Sequence, residues 1–283
     1  MIRQALALGA LSVFAATGAA QSLTVSEQEV DQAFKNLRSA EKALYRLIGS
    51  EKFGSSTTPF ASDFFYDRPL ASVSQDLKME LVEARNALVT RRVVADGRHV
   101  WGIDPIKNTY STVRYGSYTA ARPTDYEQNA LQSMNVLASG QSAWPARMAR
   151  EVWGGTGALY RSWIPASSNR SEYTVEGGAS QTDPVMTTRS YVSTPIKKFH
   201  IYWITKAGTP TRSLTFELKQ DSSSAWQLKA VYYTDVVQQG AIQRVTDWKM
   251  DIYTGVLPTP GIFTYTPAPG AKAIAGPRPN GSG

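Results

Sequence analysis

Val93-Val94-Ala95-Asp96-Gly97-Arg98-His99-Val100-Trp101-Gly102-Ile103-Asp104-Pro105-Ile106-Lys107-Asn108-Thr109-Tyr110-Ser111-Thr112-Val113-Arg114-Tyr115 is the stretch whose reading decides the fold. Its β-branched and aromatic residues come in short runs, and two turn signals separate them. Asp96-Gly97 suits a two-residue type I′ turn, which needs positive φ at both central residues and matches the twist of the strands it joins. Asp104-Pro105 with Lys107-Asn108 supplies a second, longer reversal. The expectation is a three-strand antiparallel meander over Thr90–Ala95, Arg98–Ile103 and Thr109–Tyr115.

Further strands are expected at Phe199–Ile204, Leu214–Lys219, Trp226–Tyr233 and Val245–Tyr253, separated by Gly, Pro, Ser or Asp clusters. Their alternation sorts the side chains onto two faces. Phe199, Ile201 and Trp203 share one face, as do Leu214, Phe216 and Leu218, then Trp226, Leu228 and Tyr232, then Trp248, Met250 and Ile252. The opposite faces carry His200, Thr215, Glu217, Gln227, Lys229, Asp247, Lys249 and Asp251. One side of such a sheet is a broad apolar and aromatic surface. It is either an ordinary core filled by helices or a hydrophobic groove left partly uncovered.

Ser26 to Gly49 reads as one long amphipathic helix, with Val30, Phe34, Leu37, Leu44, Leu47 and Ile48 largely on one stripe. Ser26 with Glu29 resembles a capping box, and Gly49 can stop the helix. Gly54–Thr58 is a polar loop. Val73–Ala84 alternates Leu77, Met79 and Leu81 against Lys78, Glu80 and Val82, which predicts a strand with a helix as the alternative. Helices are expected at Tyr126–Ala138 and Ala146–Val152, followed by a break at Gly154–Gly157. No internal repeat is found.

The first 20 residues carry Arg3, an apolar run over Ala5–Ala16 and small residues at Gly18-Ala19-Ala20. This is the layout of a secretory signal peptide cleaved after Ala20; a buried N-terminal helix is the alternative. The run is shorter than the roughly 20 residues that span a bilayer as a helix. Residues 21–270 are assigned to one domain and residues 271–283, rich in Pro and Gly, to a flexible tail. Cysteine is absent, which excludes disulfides, thiolate catalysis, Cys-ligated metals and a lipid anchor through Cys. The formal charge is +7, but Lys and Arg are scattered without a cluster. That favours anionic surfaces over nucleic acid.

The chain has two histidines, His99 and His200, and neither has metal-ligand spacing to another ligand. Both fit surface positions. No nucleophile elbow or phosphate-binding loop is present in a persuasive setting, and the Gly154-Gly155-Thr156-Gly157 run lacks the Lys a phosphate loop needs. Asp63 with Asp67, or Asp247 with Asp251, could form a carboxylate pair, but their settings favour surface positions. The reading is of a non-enzymatic protein with no catalytic residue, metal or cofactor.

The meander resembles a segment of the periplasmic outer-membrane lipoprotein carriers and their relatives (LolA/LolB-like), in which a strand, an Asp-Gly turn, a Trp-bearing strand and an Asp-Pro or Asn-Pro turn follow one another. Phe263-Thr264-Tyr265-Thr266-Pro267-Ala268-Pro269-Gly270 is similar to the Phe-x-Phe-x-Pro-Pro-x-Gly-like segment that closes those proteins, and a strand hairpin precedes it here as there. The resemblance implies an α+β fold: an incompletely closed, strongly curved antiparallel β-barrel, or half-barrel, with helices covering its concave face. It implies a soluble periplasmic protein that carries a lipid or the acyl chains of a lipoprotein, between a membrane-bound donor and acceptor. The groove residues are then Phe199, Ile201, Trp203, Leu214, Phe216, Leu218, Trp226, Leu228, Trp248 and Met250. Arg68-Pro69 is similar to the carriers' strand-borne Arg-Pro that holds the cavity closed, although it lies further from Asp96 than the family spacing; a plain turn at Asp67-Arg68-Pro69 is the alternative. The rival function is an envelope sensor or interaction module that binds a protein partner on the same fold.

Overall fold

The computed structural model describes residues 27–68, 77–114, 134, 140–154, 173–174, 196–205, 210–239 and 241–275. Two α-helices stand out among them, α1 (Glu27–Arg38) and α2 (Trp144–Gly154), the latter entered through a short 3₁₀ turn at Gly140–Ala143. The strands are β1 (Lys42–Phe53), β2 (Ser56–Asp67), β3 (Lys78–Arg85), β4 (Leu88–Ala95), β5 (His99–Asp104), β6 (Thr109–Arg114), β7 (Tyr173–Thr174), β8 (Ile196–Thr205), β9 (Pro210–Gln220), β10 (Trp226–Gln239), β11 (Ile242–Thr254) and β12 (Lys272–Ala273).

All twelve strands join one curled, open sheet in the order β12-β6-β5-β4-β3-β2-β1-β11-β10-β9-β8-β7. Every neighbouring pair is antiparallel except β12 with β6. Two meanders, β1–β6 and β8–β11, are zipped together where β1 pairs with β11. Both helices lie on the concave side. The stripe Val30, Ala33, Phe34 and Leu37 of α1 is at most 1% exposed, and Ala146, Met148, Ala149, Val152 and Trp153 of α2 join the same core. This open sheet with inner helices is the architecture that the carrier resemblance implies.

The expected meander holds, but its first turn differs. Gly97 has a φ of 99°, whereas Asp96 and Arg98 keep negative φ. The central pair is therefore Gly97-Arg98, with the Asp96 N–H donating to the His99 carbonyl at 3.1 Å. The Asp96 carboxylate accepts from the N–H groups of Arg98 and His99 at 2.8 Å each and from Trp101 Nε1 at 3.0 Å. Burial would raise its pKa; these donors outweigh that and hold it below the usual carboxylate value. The pair of positive φ values that defines a type I′ turn appears at Asn86 (50°) and Ala87 (61°), between β3 and β4.

The helix expected over Ser26–Gly49 is two elements. α1 ends at Arg38, and Lys42 opens β1. Leu44, Leu47 and Ile48 are spaced for a helix, but Ala43, Tyr45 and Leu47 also alternate inward, and pairing with β11 and β2 on either side decides for the strand. Gly49 stops nothing. It sits mid-strand between Trp248 and Phe60, where an added Cβ would come within 2.5 Å of Trp248 Cβ and 2.4 Å of the Asp247 carbonyl oxygen. The loop expected at Gly54–Thr58 shrinks to the turn at Gly54-Ser55, and β2 begins at Ser56.

β3 and α2 appear where expected, and the helix expected at Tyr126–Ala138 lies outside the described residues apart from the buried, helical Met134. Past β11 the chain turns back over the convex side as a strap. Arg92 of β4 fastens it by donating to the carbonyl oxygens of Ile262 (3.0 Å) and Thr264 (3.4 Å), and Tyr265 packs on Trp101 and Tyr110 with ring centroids 5.6 and 6.1 Å away. Lys272–Ala273, inside the segment expected as a flexible tail, pairs in parallel with β6. Residues 276–283 and 1–26 lie outside the described residues.

Candidate ligand-binding surface

The concave face is built by strand parity. Seven of the ten proposed groove residues, Phe199, Leu214, Phe216, Leu218, Leu228, Trp248 and Met250, are at most 3% exposed and belong to one core. Trp226 is half-buried against it, and its carbonyl accepts from Asn36 Nδ2 on α1 at 2.9 Å. The side chains of Ile201 and Trp203 lie outside the described residues; the backbone pairs Ile201 with Leu214 and Trp203 with Arg212. The structure thus gathers the surface and fills it: Phe34 of α1 meets Phe216 edge-on at 5.4 Å, and Trp144 at the start of α2 packs beside Trp248 and Tyr233.

One assignment is corrected. Leu228 faces Leu218, but Ala230 faces Glu217, so a bulge at Lys229 reverses the alternation of β10. Val231 and Tyr233 therefore take the inner face, with Tyr233 stacked on Trp248 at 5.1 Å, and Tyr232 turns outward. There its hydroxyl donates to Glu217 at 3.0 Å. Burial and the Glu217 carboxylate push that hydroxyl up to about 12.

The first meander contributes as much of the surface as the second. Tyr45, Phe60, Phe64, Tyr66, Leu81 and Val93 are at most 2% exposed and lie in the same core. The sequence reading missed β1 and β2, although Phe60-Ala61-Ser62-Asp63-Phe64-Phe65-Tyr66 carries a period-2 signal that marks a half-buried strand. Several polar atoms are enclosed with these rings. Ser62 Oγ and Trp248 Nε1 are buried without a hydrogen bond, and the Tyr66 hydroxyl is enclosed between the Tyr45 hydroxyl and Trp153 Nε1 as its polar neighbours. An unpaired buried atom such as Ser62 Oγ or Trp248 Nε1 costs about 1–3 kcal/mol relative to a satisfied one.

Arg68 stands where β2 ends and the helices meet. Its N–H donates to the Glu41 carbonyl at 2.7 Å, and its Nη1 donates to the carbonyl of Arg38, the last residue of α1, at 2.9 Å. Its guanidinium also lies 5.0 Å from the centre of the Trp153 ring on α2, and Trp153 in turn packs edge-on against Tyr66 at 4.8 Å. One side chain therefore ties both helices to the rim of the sheet. Nearby, at the mouth between α1, β1 and the β9–β10 turn, is an open cleft of about 580 Å³ lined by Asn36, Ser39, Glu41, Lys42, Asp221 and Lys229. Its lining is polar and suits no acyl chain.

The carboxylates considered as pairs are each engaged separately on the convex face. Asp63 takes a two-pronged bond from Arg46 (3.0 and 2.9 Å), Asp67 pairs with Lys42 at 3.3 Å, Asp251 with Lys249 at 2.8 Å, and Asp247 accepts from Ser50 Oγ at 3.0 Å. His99 lies partly exposed on β5, 3.7 Å from Asp96, and the side chain of His200 lies outside the described residues. Among the described residues no group of three or more His, Cys, Asp or Glu could hold a metal ion, and no helix is long and apolar enough to cross a membrane.

No family model and no curated protein matches the sequence. Among solved structures, the chain is similar to a putative outer membrane lipoprotein-sorting protein domain from Vibrio parahaemolyticus, at 12% identity over 84% of this chain and 96% of that one, with a TM-score of 0.35. It is similar to a DUF1329 family protein from Desulfovibrio piger at 11% identity over 84% and 97%, TM-score 0.33. It is similar also to a LolA superfamily protein from Nitrosomonas europaea at 10% identity over 85% and 98%, TM-score 0.30. These likenesses are of fold alone.

Proposed function

We propose that the chain is exported to the periplasm and there carries a lipid, or the acyl chains of a lipoprotein, on the concave face of its sheet, without catalysing a reaction. The observation that carries this reading is the cover. A surface made of aromatic and aliphatic side chains from both meanders is overlaid by two helices that Arg68 ties down at one rim. Displacing α1 and α2 uncovers that surface, and acyl chains gain about 0.8 kcal/mol per CH₂ buried on it. The unpaired Ser62 Oγ and Trp248 Nε1 make the helix-filled arrangement less stable than a fully satisfied core, which lowers the free energy needed to exchange helix for ligand.

A second reading has one observation in its favour. The surface already accepts an amphipathic helix, α1, through Phe34 on Phe216, so a helix of a protein partner could take the same place. The two readings part in one experiment. An environment-sensitive fatty-acid probe is expected to bind the mature chain and to be displaced by lipid, with Arg68→Ala binding more tightly because the latch is gone. Phe216→Arg, checked for folding by circular dichroism, is expected to bind less. If neither wild type nor Arg68→Ala takes up the probe, the carrier reading falls and the partner-binding reading stands.

A further inference from the structure

β1 and β2 each place one tyrosine on the concave face, Tyr45 and Tyr66, at 0% and 1% exposure. Strand register surrounds them with apolar side chains: Tyr45 lies opposite Phe64 and Ile252, and Tyr66 opposite Met79. Their rings meet edge-on at 5.8 Å, and Trp153 of α2 closes on Tyr66 at 4.8 Å. The Tyr66 hydroxyl thus has the Tyr45 hydroxyl on one side and Trp153 Nε1 on the other. Each of these groups brings one hydrogen, and an indole N–H cannot accept. The cluster therefore has one hydrogen more than it has contacts, and a hydroxyl hydrogen is left without an acceptor. Among the described residues no group outside the cluster bonds to these atoms. Burial pushes both hydroxyl pKa values up, against the opposing charge of Arg68, so both groups stay protonated donors.

The cluster also sits beside an exit. Trp153, which covers it, is the ring that the Arg68 guanidinium lies on at 5.0 Å, so releasing that latch uncovers the hydroxyls. Lys42, about 10 Å before Tyr45 along an extended strand, lines the open polar cleft of about 580 Å³. Ser62 Oγ and Trp248 Nε1, which are also unpaired, lie opposite Leu47 and Gly49, further from that cleft. An acyl chain carries one strong acceptor, the carbonyl oxygen of its carboxyl or ester end, and that oxygen needs a donor once it is buried.

We propose that Tyr45 and Tyr66 bind the carbonyl oxygen at the head of the carried acyl chain, so that the chain lies along the inner face with its polar end toward the cleft at Lys42. This rests on the carrier reading and adds to it the group recognised and the direction of the ligand. Displacement of N-phenyl-1-naphthylamine, an apolar probe without a carbonyl, is measured with palmitic acid, methyl palmitate and hexadecane. Tyr45→Phe with Tyr66→Phe is built into wild type and into Arg68→Ala. Relative to hexadecane, the carbonyl competitors are expected to weaken about tenfold when both hydroxyls are removed, as for the loss of about one hydrogen bond. A change in how the helices cover the face acts on all competitors alike and cancels in that ratio. Tyr232→Phe, on the convex face, is expected to leave the ratio unchanged. Both rings remain in the variants, circular dichroism checks folding, and each single substitution is read in the same way should the pair unfold. A loss confined to methyl palmitate assigns an esterified acyl chain, and one confined to palmitic acid a free fatty acid; either supports the proposal. Probe uptake with unchanged ratios for both carbonyl competitors overturns this inference alone. If neither wild type nor Arg68→Ala takes up the probe, the carrier reading falls and the inference falls with it.

Discussion

Tyr45 and Arg46 are neighbours on β1, yet they face opposite sides of one sheet and answer to different forces. Tyr45 is fully buried among Phe64, Tyr66 and the helices, and burial raises its hydroxyl pKa well above the ordinary value. Arg46 stands in a polar belt that crosses the convex face: Lys198 with Glu217 (3.3 Å), Glu217 with Tyr232, Lys249 with Asp251, Arg46 with Asp63. The concave face is held by area removed from water, at about 25 cal/mol per Å². The convex belt is held by exposed pairs worth about 0–1 kcal/mol each. Stability and any ligand site thus share the concave face, and the convex face is free to serve solubility and the strap.

The sharpest way to break this contrast is Phe216→Ala. It removes the ring that Phe34 and Phe199 pack on, and it is expected to destabilise the protein by about 3–5 kcal/mol in urea unfolding. A loss under about 1 kcal/mol would show that the concave face is not the core. Gly49→Ala comes next, because it thrusts a methyl at Trp248 and Phe60 where the two meanders join. About 1–3 kcal/mol is expected from overpacking, read as a lower melting temperature.

Glu80 tests a convex site that behaves like an interior. Beneath the strap it is 4% exposed; desolvation raises its pKa, and the charged contact with Arg92 opposes that rise without cancelling it. A carboxyl whose pKa is higher folded than unfolded binds more protons in the folded state. Its contribution is therefore complete below the ordinary carboxylate pKa and is lost as pH rises through the raised one. The difference in unfolding free energy between wild type and Glu80→Gln should change across that window and be flat above it; a difference that is constant with pH refutes the assignment. Last, Arg46→Ala should alter stability by less than about 1 kcal/mol despite its two-pronged bond to Asp63, and by less still at high salt.

What could be read from the sequence was what turn chemistry marks. The β4–β6 meander and the strands β8–β11 are bounded by Gly, Pro, Asp or Ser clusters, and their inward faces followed from alternation. The boundary between α1 and β1 was hidden because Ser39-Ala40-Glu41 contains neither Gly nor Pro and because Leu44, Leu47 and Ile48 satisfy a helical spacing by chance. The bulge at Lys229 had no local signal, so Tyr232 was placed on the wrong face. Arg68 could be singled out by its Pro, but its hold on both the α1 terminus and Trp153 depends on elements far apart in the chain.

The pairing of β1 with β11 also sets how the protein must fold. Ala43 lies opposite Thr254, so contacts at the centre of the sheet close a loop of about 200 residues, and folding rates fall as such separations grow. Until β11 arrives, β1 has an open edge beside its hairpin partner β2, and Leu47 and Tyr45 have only part of their cover. A chain delivered from its N-terminus therefore holds an unpaired, apolar-faced edge for most of its delivery time, which is the circumstance in which strands add to one another between molecules. Slow refolding and a yield that falls with protein concentration follow directly from the position of that one strand.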